Sequence, residues 1–315
     1  MAVVTSDLLF LTVAGLKTEF DAAYMKAAET ARWAQIATEL PTTLPSQNYG
    51  WLGRGALMKQ FYDEVEDQSV AGYQYTLADN VYKGNLTIQR KMLEDDQYAL
   101  LVTRVRAMAA EPIRHWNQLA FEGLTSGFTS LCYDGQYFFD TDHSEGASGT
   151  QVNKVTTVLS DTALQTADAT MQAYVDDKGI PMEIMPDTLV VGPANARKAW
   201  NLVKQDIVFT PVGTGTAGSG ATASTDFRNY FNGRYNLIVD PYIRGTAAYY
   251  WFLLDTKKEI KPIIIQSRSD VPITLETDMD MPDAKIREKY RFSARGRYVQ
   301  GYGLWQTAYG SAATS

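Results

Sequence analysis

Charged residues crowd a short segment, YDGQYFFDTDHSEG, that runs from Tyr133 to Gly146. Its possible metal ligands and proton carriers are Asp134, Asp140, Asp142, His143 and Glu145. The carboxylates of Asp140 and Asp142, together with the imidazole of His143, are of the types that bind Mg²⁺ or Mn²⁺ and activate water. The same residue types also form ordinary turns, because an Asp side chain hydrogen-bonds to its own backbone. The segment therefore allows a metal-dependent hydrolase or a structural turn, and the turn is favoured.

The composition of the chain limits the classes of function. With 315 residues and 45% hydrophobic residues, the chain can form one large core or two modest domains. Its net charge of −7 argues against a dedicated nucleic-acid-binding protein but allows one basic face. The single cysteine, Cys132, excludes an intrachain disulfide and a cysteine-based zinc site, so we expect it to be a buried residue in a reducing compartment.

Two further motifs resemble cofactor sites, and no cofactor is expected at either. The run GTGTAGSG matches the dinucleotide pattern at Gly213, Gly215 and Gly218. That pattern requires a helix to begin at the glycines, but the run continues as SGATAST, which predicts a surface loop. The acidic run TDMDMPDAK lacks the glycine and the final glutamate of a calcium-binding loop. Near the start, the apolar run LLFLTVAG is far shorter than the ~20 residues that span a bilayer, so no membrane partner is expected.

The remaining pattern predicts a mixed α+β fold. Helices are predicted over Asp21–Glu39, over the long stretch Leu93–Leu124, where Pro112 either bends the helix or begins a second segment, and over Asp161–Asp177. Buried strands are predicted at TLVVGP, NLIVD, AAYYWFLLD and PIIIQS. The Gly-dotted stretch Asn48–Asn85 lacks the apolar density of a core and is interpreted as an extended excursion.

Near the C-terminus, charge alternates with apolar residues. Cations occupy odd positions, at Lys285, Arg287, Lys289, Arg291, Arg295 and Arg297. Just upstream, acids alternate in the same way, at Glu276, Asp278 and Asp280. Because successive strand residues point to opposite faces, this predicts an antiparallel hairpin that turns at Pro282-Asp283, with acids opposite the first cations and its apolar face toward the long helix.

Five segments carry a resemblance to a known family. They are, in order along the chain, NYGWLGRG, YTLADNVYKGNLTIQRKMLEDDQY, YDGQYFFDTDH, MPDTLVVGP and RYVQGYGLWQTAYG. This ordered set, covering roughly Ala22 to Gly310, resembles the Mu-like prophage major head subunit family, the major capsid proteins of Mu-like tailed phages. The resemblance implies an HK97-type capsid fold.

The resemblance also implies a division of the chain. Residues 1–44 would form an N-terminal arm and residues 45–92 an extended hairpin called the E-loop. Residues 93–160 would begin a P domain with a long spine helix, residues 161–262 would form an A domain, and residues 263–315 would return to the P domain. The segment Tyr133–Gly146 would then be a turn and strand after the spine helix.

The implied function is structural, without catalytic, cofactor or metal residues. The chain would assemble in the host cytoplasm into pentamers and hexamers of an icosahedral virion shell around double-stranded DNA. Expected partners are further copies, a separate scaffold protein, a portal, a decoration protein and, non-specifically, the DNA. Arg291, Arg295 and Arg297 are expected to remain free for a neighbouring subunit's carboxylates, or for DNA. Two alternatives stay open: the metal-dependent hydrolase built on Asp140, Asp142 and His143, and a tail-tube or other virion protein, although the long helix disfavours a tail tube.

Overall fold

The computed structural model describes residues 6–52, 72–89, 91, 98–210, 225–268, 274–278 and 289–314. Several predictions fall outside these ranges: the glycine run from Gly213, the acidic start of the long helix, and the positions of Asp280, Lys285 and Arg287. The fold is α+β, as predicted. Within the described ranges, no helix combines the length and the apolar character that crossing a bilayer requires.

Four helices are described: α1 Ser6–Glu29, α2 Tyr98–Ser126, α3 Asp161–Gln172 and α4 Ala196–Lys204. The first eight strands are β1 Ala37–Thr42, β2 Ser46–Leu52, β3 Gly72–Ala78, β4 Asn80–Gln89, β5 His143–Ser144, β6 Thr150–Gln151, β7 Lys154–Val155 and β8 Thr188–Val191. The others are β9 Ile207–Thr210, β10 Thr225–Arg228, β11 Asn236–Val239, β12 Trp251–Leu254, β13 Ile263–Arg268, β14 Thr274–Asp278, β15 Lys289–Tyr302 and β16 Ala308–Ser311.

The chain divides into two compact units. The first consists of Met1–Tyr49, Tyr75–Ala120 and Ile263–Gly301, and the second of Gly50–Gln74, Phe121–Pro262 and Tyr302–Ser315. These units group the chain differently from the arm, loop and domains named above, and that functional division stays a prediction.

A five-stranded sheet organises the first unit. Its order is β1-β13-β15-β14, and β4 pairs with β15 along the opposite edge. The antiparallel pairing of β14 with β15 confirms the predicted C-terminal hairpin. Apolar residues of α1, α2, β4 and β15 form one buried cluster: Leu16, Phe20, Ile88, Leu101, Val102, Val105, Ala109, Phe292 and Ala294. The apolar face of β15 therefore packs against the long helix, as predicted.

The long helix α2 continues through Pro112 as one α-helix. Proline lacks a backbone N–H, so one intrahelical hydrogen bond is missing there. The helix ends where Gly127 donates its N–H to the Gly123 carbonyl at 3.0 Å. A Cβ atom at Gly127 would lie 2.9 Å from the Phe139 ring, so the helix end packs too closely for a larger residue.

Two predicted helices are too long. The helix predicted over Asp21–Glu39 ends at Glu29, and the last residues of the predicted helix belong to β1, which pairs in parallel with the distant strand β13. The helix predicted over Asp161–Asp177 ends at Gln172. There the side chain of Gln151 accepts from the Val175 N–H and donates to the Val175 carbonyl, which gives that backbone a non-helical set of partners.

A second five-stranded sheet organises the second unit, in the order β11-β8-β12-β16-β7. Every residue of β8, β12 and β16 is buried, which fits their short apolar runs. Two further strands, β2 and β3, pair with each other as a separate ribbon. The described strands of this ribbon lie within or beside the excursion predicted over Asn48–Asn85, but Asn80–Asn85 belong instead to β4 and the sheet of the first unit.

Candidate functional site: a buried carboxylate network and a cationic strand

His143 lies in the interior of the second unit, at the start of β5. Its side chain is 0% exposed, and its Nδ1 atom lies 2.6 Å from Oδ2 of Asp134. The imidazole stacks on the Trp305 ring, with centroids 4.2 Å apart and planes 5° apart. The other oxygen of Asp134 accepts hydrogen bonds from the Cys132 thiol at 2.9 Å and from the Gln136 N–H at 3.0 Å. Asp134 is thus an acceptor for three donors inside the chain.

Glu145 forms a second buried acceptor in the same segment. One carboxylate oxygen accepts from the Tyr133 hydroxyl at 2.5 Å, the Trp305 indole N–H at 2.8 Å and the Gln306 amide at 3.0 Å. Its backbone N–H donates to the Ser148 hydroxyl at 2.9 Å. A buried carboxylate is stable only when such donors replace its water, so these contacts account for the position of Glu145.

Asn153 completes this buried carboxylate network. Its side-chain oxygen accepts from the Asp140 N–H at 2.8 Å, and its amide donates to the carbonyls of Phe138 at 2.8 Å and Trp305 at 3.3 Å. Through His143, Glu145 and Asn153, the segment after α2 fixes the chain around Trp305. The polar residues that suggested a reaction centre therefore join two distant parts of the second unit.

The ionisation of the network fits a structural role. Burial raises the pKa of the Cys132 thiol far above its usual value, and the negative Asp134 raises it further, so the thiol stays protonated and unreactive. Burial alone would raise the pKa of Asp134, but the hydrogen bonds from His143 and Cys132 outweigh it and hold that pKa below its usual value. These hydrogen bonds therefore favour the ionised form of Asp134.

The residues of the predicted hydrolase do not come together. Cys132, Asp134 and His143 offer ligand atoms within 4.8 Å of one another, but among the described residues Asp140 and Asp142 do not join such a group. Asp140 accepts from the Thr141 N–H at 2.9 Å, and Asp142 is exposed. The Cys132 thiol donates a hydrogen bond to the Asp134 carboxylate. The raised pKa of this thiol also disfavours the thiolate form that a metal ion would require.

The cationic strand β15 lies in the first unit, and its alternation is confirmed from Lys289 to Tyr298. Lys289 and Arg291 are exposed, whereas Phe292 and Tyr298 are buried. Three of the predicted cations on β15 are Arg291, Arg295 and Arg297. The residues that lie opposite them or pair with them differ.

The prediction for Arg291 is wrong. Arg291 was expected to remain free, but the register places Asp278 directly opposite it and Glu276 opposite Ser293. The predicted turn at Pro282-Asp283 lies outside the described residues, and the register alone places an acid on the rung of Arg291.

The prediction that Arg297 remains free is also wrong. Its Nη2 atom donates to Oδ1 of Asp79 at 3.0 Å, and its Nε atom lies 2.8 Å from Oδ2. Arg268 lies 3.5 Å from the same carboxylate, which is 3% exposed. The cause is the pairing of β4 with β15, which places Val81 opposite Arg297 and brings Asp79 within reach.

Asp79 has a position that the sequence did not reveal. It is the single residue between β3, which belongs to the ribbon, and β4, which belongs to the sheet of the first unit. Its backbone N–H donates to the Pro45 carbonyl at 3.0 Å, between the two legs of the chain that lead into the ribbon. Its carboxylate thus fixes the base of the ribbon to β13 and β15, and no local motif marks it because both arginines are distant in sequence.

A cavity of about 450 Å³ lies between α2 and the β4–β15 pair. Small residues, Gly84, Ala294 and Gly296, leave space along its lining. His115 lies against it with Nδ1 2.8 Å from the Tyr298 hydroxyl, and the cavity's carboxylate, Glu111, forms an ion pair with Arg114. The imidazole of His115 and the carboxylate of Glu111 are therefore already paired within the chain.

Comparison with known proteins decides the family. A family model described as the Mu-like prophage major head subunit gpT matches residues 9–158, 151–243 and 226–314. The chain belongs to this family. It is therefore the major capsid protein of a tailed phage, and the resemblance recognised in the sequence is confirmed.

Two relatives are head proteins. Over 312 residues, the head subunit is 25% identical to the Mu-like prophage FluMu major head subunit of Haemophilus influenzae, covering 98% of this chain and 74% of the relative. It is 22% identical over 278 residues to the major capsid protein of Escherichia phage Mu, covering 88% of this chain and 65% of that protein.

Solved structures show the same fold. The head subunit is similar to a chain of the procapsid of bacteriophage JBD30, with a TM-score of 0.52, 24% identity, and coverage of 98% and 76% of the two chains. It is similar to a chain of Mycobacterium phage Patience, with a TM-score of 0.54, 14% identity, and coverage of 99% and 90%. The predicted HK97-type capsid fold is confirmed, and nothing in these comparisons favours the hydrolase.

Proposed function

We propose that this head subunit tiles the pentamers and hexamers of an icosahedral shell that encloses double-stranded DNA. The observation that carries the proposal is the match to the head subunit family from residue 9 to residue 314, together with a capsid fold. One sequence in a closed shell must form similar contacts in several environments, which favours extended elements over rigid, angle-specific interfaces.

The elements of the first unit suit the named parts of such a subunit. The N-terminal arm, residues 1–44, contains α1 and β1, and the E-loop, residues 45–92, contains the β2–β3 ribbon and β4. The spine helix corresponds to α2, in the P-domain segment of residues 93–160. The A domain would be residues 161–262, and residues 263–315 would return to the P domain.

The proposed role in a virion shell also implies where the subunit assembles and which partners it has. The subunit would assemble in the host cytoplasm with a separate scaffold protein, a portal and a decoration protein, and would contact the DNA non-specifically. It would carry out no catalysis, and the protonated thiol and fully occupied carboxylates of the buried network support this.

The C-terminal cations supply candidate contacts outside the subunit. These are Lys285, Arg287, Lys289, Arg291 and Arg295, with Glu276, Asp278 and Asp280 as candidate acidic partners. Arg297 also belongs to this set, but it is the weakest candidate because its guanidinium already forms an ion pair with Asp79. We favour neighbouring subunits over DNA as their partners, because an acidic chain offers many carboxylates.

Negative-stain electron microscopy tests the proposed function. The full-length chain, produced in bacteria that also supply the head-assembly proteins, should form closed shells or capsomers. Small separate particles with metal-dependent hydrolytic activity would support the hydrolase, and continuous tubes would support a tail-tube protein.

A further inference from the structure

Two cations face each other on the sheet of the first unit. In the antiparallel register of β4 and β15, Lys83 lies directly opposite Arg295. Directly opposite residues of an antiparallel pair have Cβ atoms about 4.5–5.5 Å apart and project from the same face, so like charges there destabilise the sheet. Two cations at such a position therefore lower the stability of the isolated subunit.

The neighbouring rungs of the β4–β15 pair bring no acid opposite either cation. On one side, Asn85 lies opposite Ser293. On the other side, Val81 lies opposite Arg297, which forms an ion pair with Asp79. Across the other edge of β15, the residue opposite Arg295 is Thr274, which carries no charge. Within the described parts of the chain, neither Lys83 nor Arg295 forms an ion pair.

The two side chains are also accessible. Lys83 is exposed and Arg295 is half-buried, and both alternate with residues that pack toward α2, so they belong to the outer face of the sheet. This separates them from Arg297, which is held by Asp79, and from Arg291, which has an acid opposite it.

We propose that Lys83 and Arg295 together bind one carboxylate side chain from a second copy of this subunit in the shell. The inference rests on the proposed function, since it requires a neighbouring subunit. A carboxylate between the two cations would replace their repulsion by two charge-assisted hydrogen-bonding contacts, and the planar guanidinium suits that geometry.

A neighbouring subunit fits this position better than DNA does. The chain carries a net charge of −7, so each additional copy brings an excess of carboxylates. On β14, Thr274 lies opposite Arg295, and Glu276 and Asp278 follow it at alternate positions. A continuous polyphosphate backbone that crossed this face would therefore approach both acids. One carboxylate side chain reaches the Lys83–Arg295 rung without that repulsion.

The proposal predicts effects of opposite sign on folding and on assembly. Replacing one cation by Gln removes the repulsion, so the free subunit should unfold at an equal or higher temperature. The same change removes half of the carboxylate site, so shells should form less readily. A residue needed only for folding would lower both quantities together.

The experiment compares Lys83→Gln, Arg295→Gln and the double variant with the wild type. The full-length chain is produced with the head-assembly proteins but without the DNA-packaging enzyme, so that any shells are empty, and shell yield is measured on density gradients. We expect the double variant to lose about tenfold or more of the yield, with a smaller loss as salt is raised. Lys83→Arg should retain the yield, and Lys198→Gln, on the exposed face of α4, is the matched control and should not change it.

Other outcomes overturn the inference in distinguishable ways. Normal empty shells that fail only to retain DNA would assign the two cations to DNA. A parallel loss of thermal stability and of shells would assign them to folding, and an equal loss in Lys198→Gln would reduce the effect to net charge. If the wild type itself forms no shells or capsomers, the proposed function fails and the inference falls with it.

Discussion

The buried carboxylate network around His143 and the Lys83–Arg295 rung hold charged residues in contrasting ways. In the network, Glu145 and Asp134 each accept three hydrogen bonds from donors of the same chain. At the rung, two cations lie opposite each other and, within the described residues, neither has an acidic partner. A dense group of acids thus proves to be internal structure, whereas two separated cations mark a surface for another molecule.

The difference lies in what satisfies each charge. A carboxylate that is removed from water must find its donors within the fold, and Glu145 finds them in Tyr133, Trp305 and Gln306. A cation that remains partly in water needs no internal partner, so the fold can leave it for assembly. Density of charge in the sequence is therefore a poorer guide to intermolecular function than the lack of an internal partner.

The largest effect should come from removing the buried acceptor, with Glu145→Ala. Three buried donors would lose this acceptor, and we expect the free energy of unfolding to fall by about 3 kcal/mol or more. Urea denaturation of the free subunit measures this change. Glu145→Gln keeps one acceptor oxygen and should cost less, and equal costs for the two variants would contradict the account of the network.

A smaller loss is expected at the base of the ribbon, with Asp79→Asn. The change removes the negative partner of the half-buried Arg297 and one ion-pair contact of Arg268, and should cost about 2 kcal/mol of unfolding free energy. Arg114→Gln, which breaks the exposed pair with Glu111, is the control and should cost less than about 0.5 kcal/mol. If both variants cost the same, Asp79 does not fix the ribbon.

The lowered pKa of Asp134 predicts a pH dependence. A carboxyl whose folded pKa is depressed stabilises the fold above its unfolded pKa, and that contribution is lost as pH falls through the folded value. Stability measured from pH 5 downward should therefore fall more steeply in the wild type than in Asp134→Asn. Identical slopes in the two proteins would show that the hydrogen bonds to Asp134 do not lower its pKa in the folded state.

The smallest effect is expected for Asp142→Asn, at an exposed position of the same segment. Since this carboxylate joins neither the network nor a group that could hold a metal ion, stability should change by less than about 0.5 kcal/mol and shell yield should be unchanged. Thermal unfolding and gradient yield check both. A large loss in either would return Asp142 to a functional role.

Periodic features of the fold could be predicted from the sequence. The alternation along β15, its antiparallel partner and its packing on the long helix follow from local spacing and are present. Non-local pairing could not be predicted: β1 is a strand only because β13 lies beside it, and Asp79 meets Arg297 only because β4 pairs with β15. The buried carboxylate network could not be predicted for the same reason, because the indole that donates to Glu145 belongs to Trp305, which is distant in sequence.

A cryo-electron microscopy map of the assembled shell, at side-chain resolution, tests the contrast between the two regions most directly. The account predicts a carboxylate of a neighbouring subunit within hydrogen-bonding distance of both Lys83 and Arg295, while Glu145 keeps its donors from Tyr133, Trp305 and Gln306. Solvent or nucleic acid at the cationic rung, or contacts of Glu145 with another subunit, would contradict it.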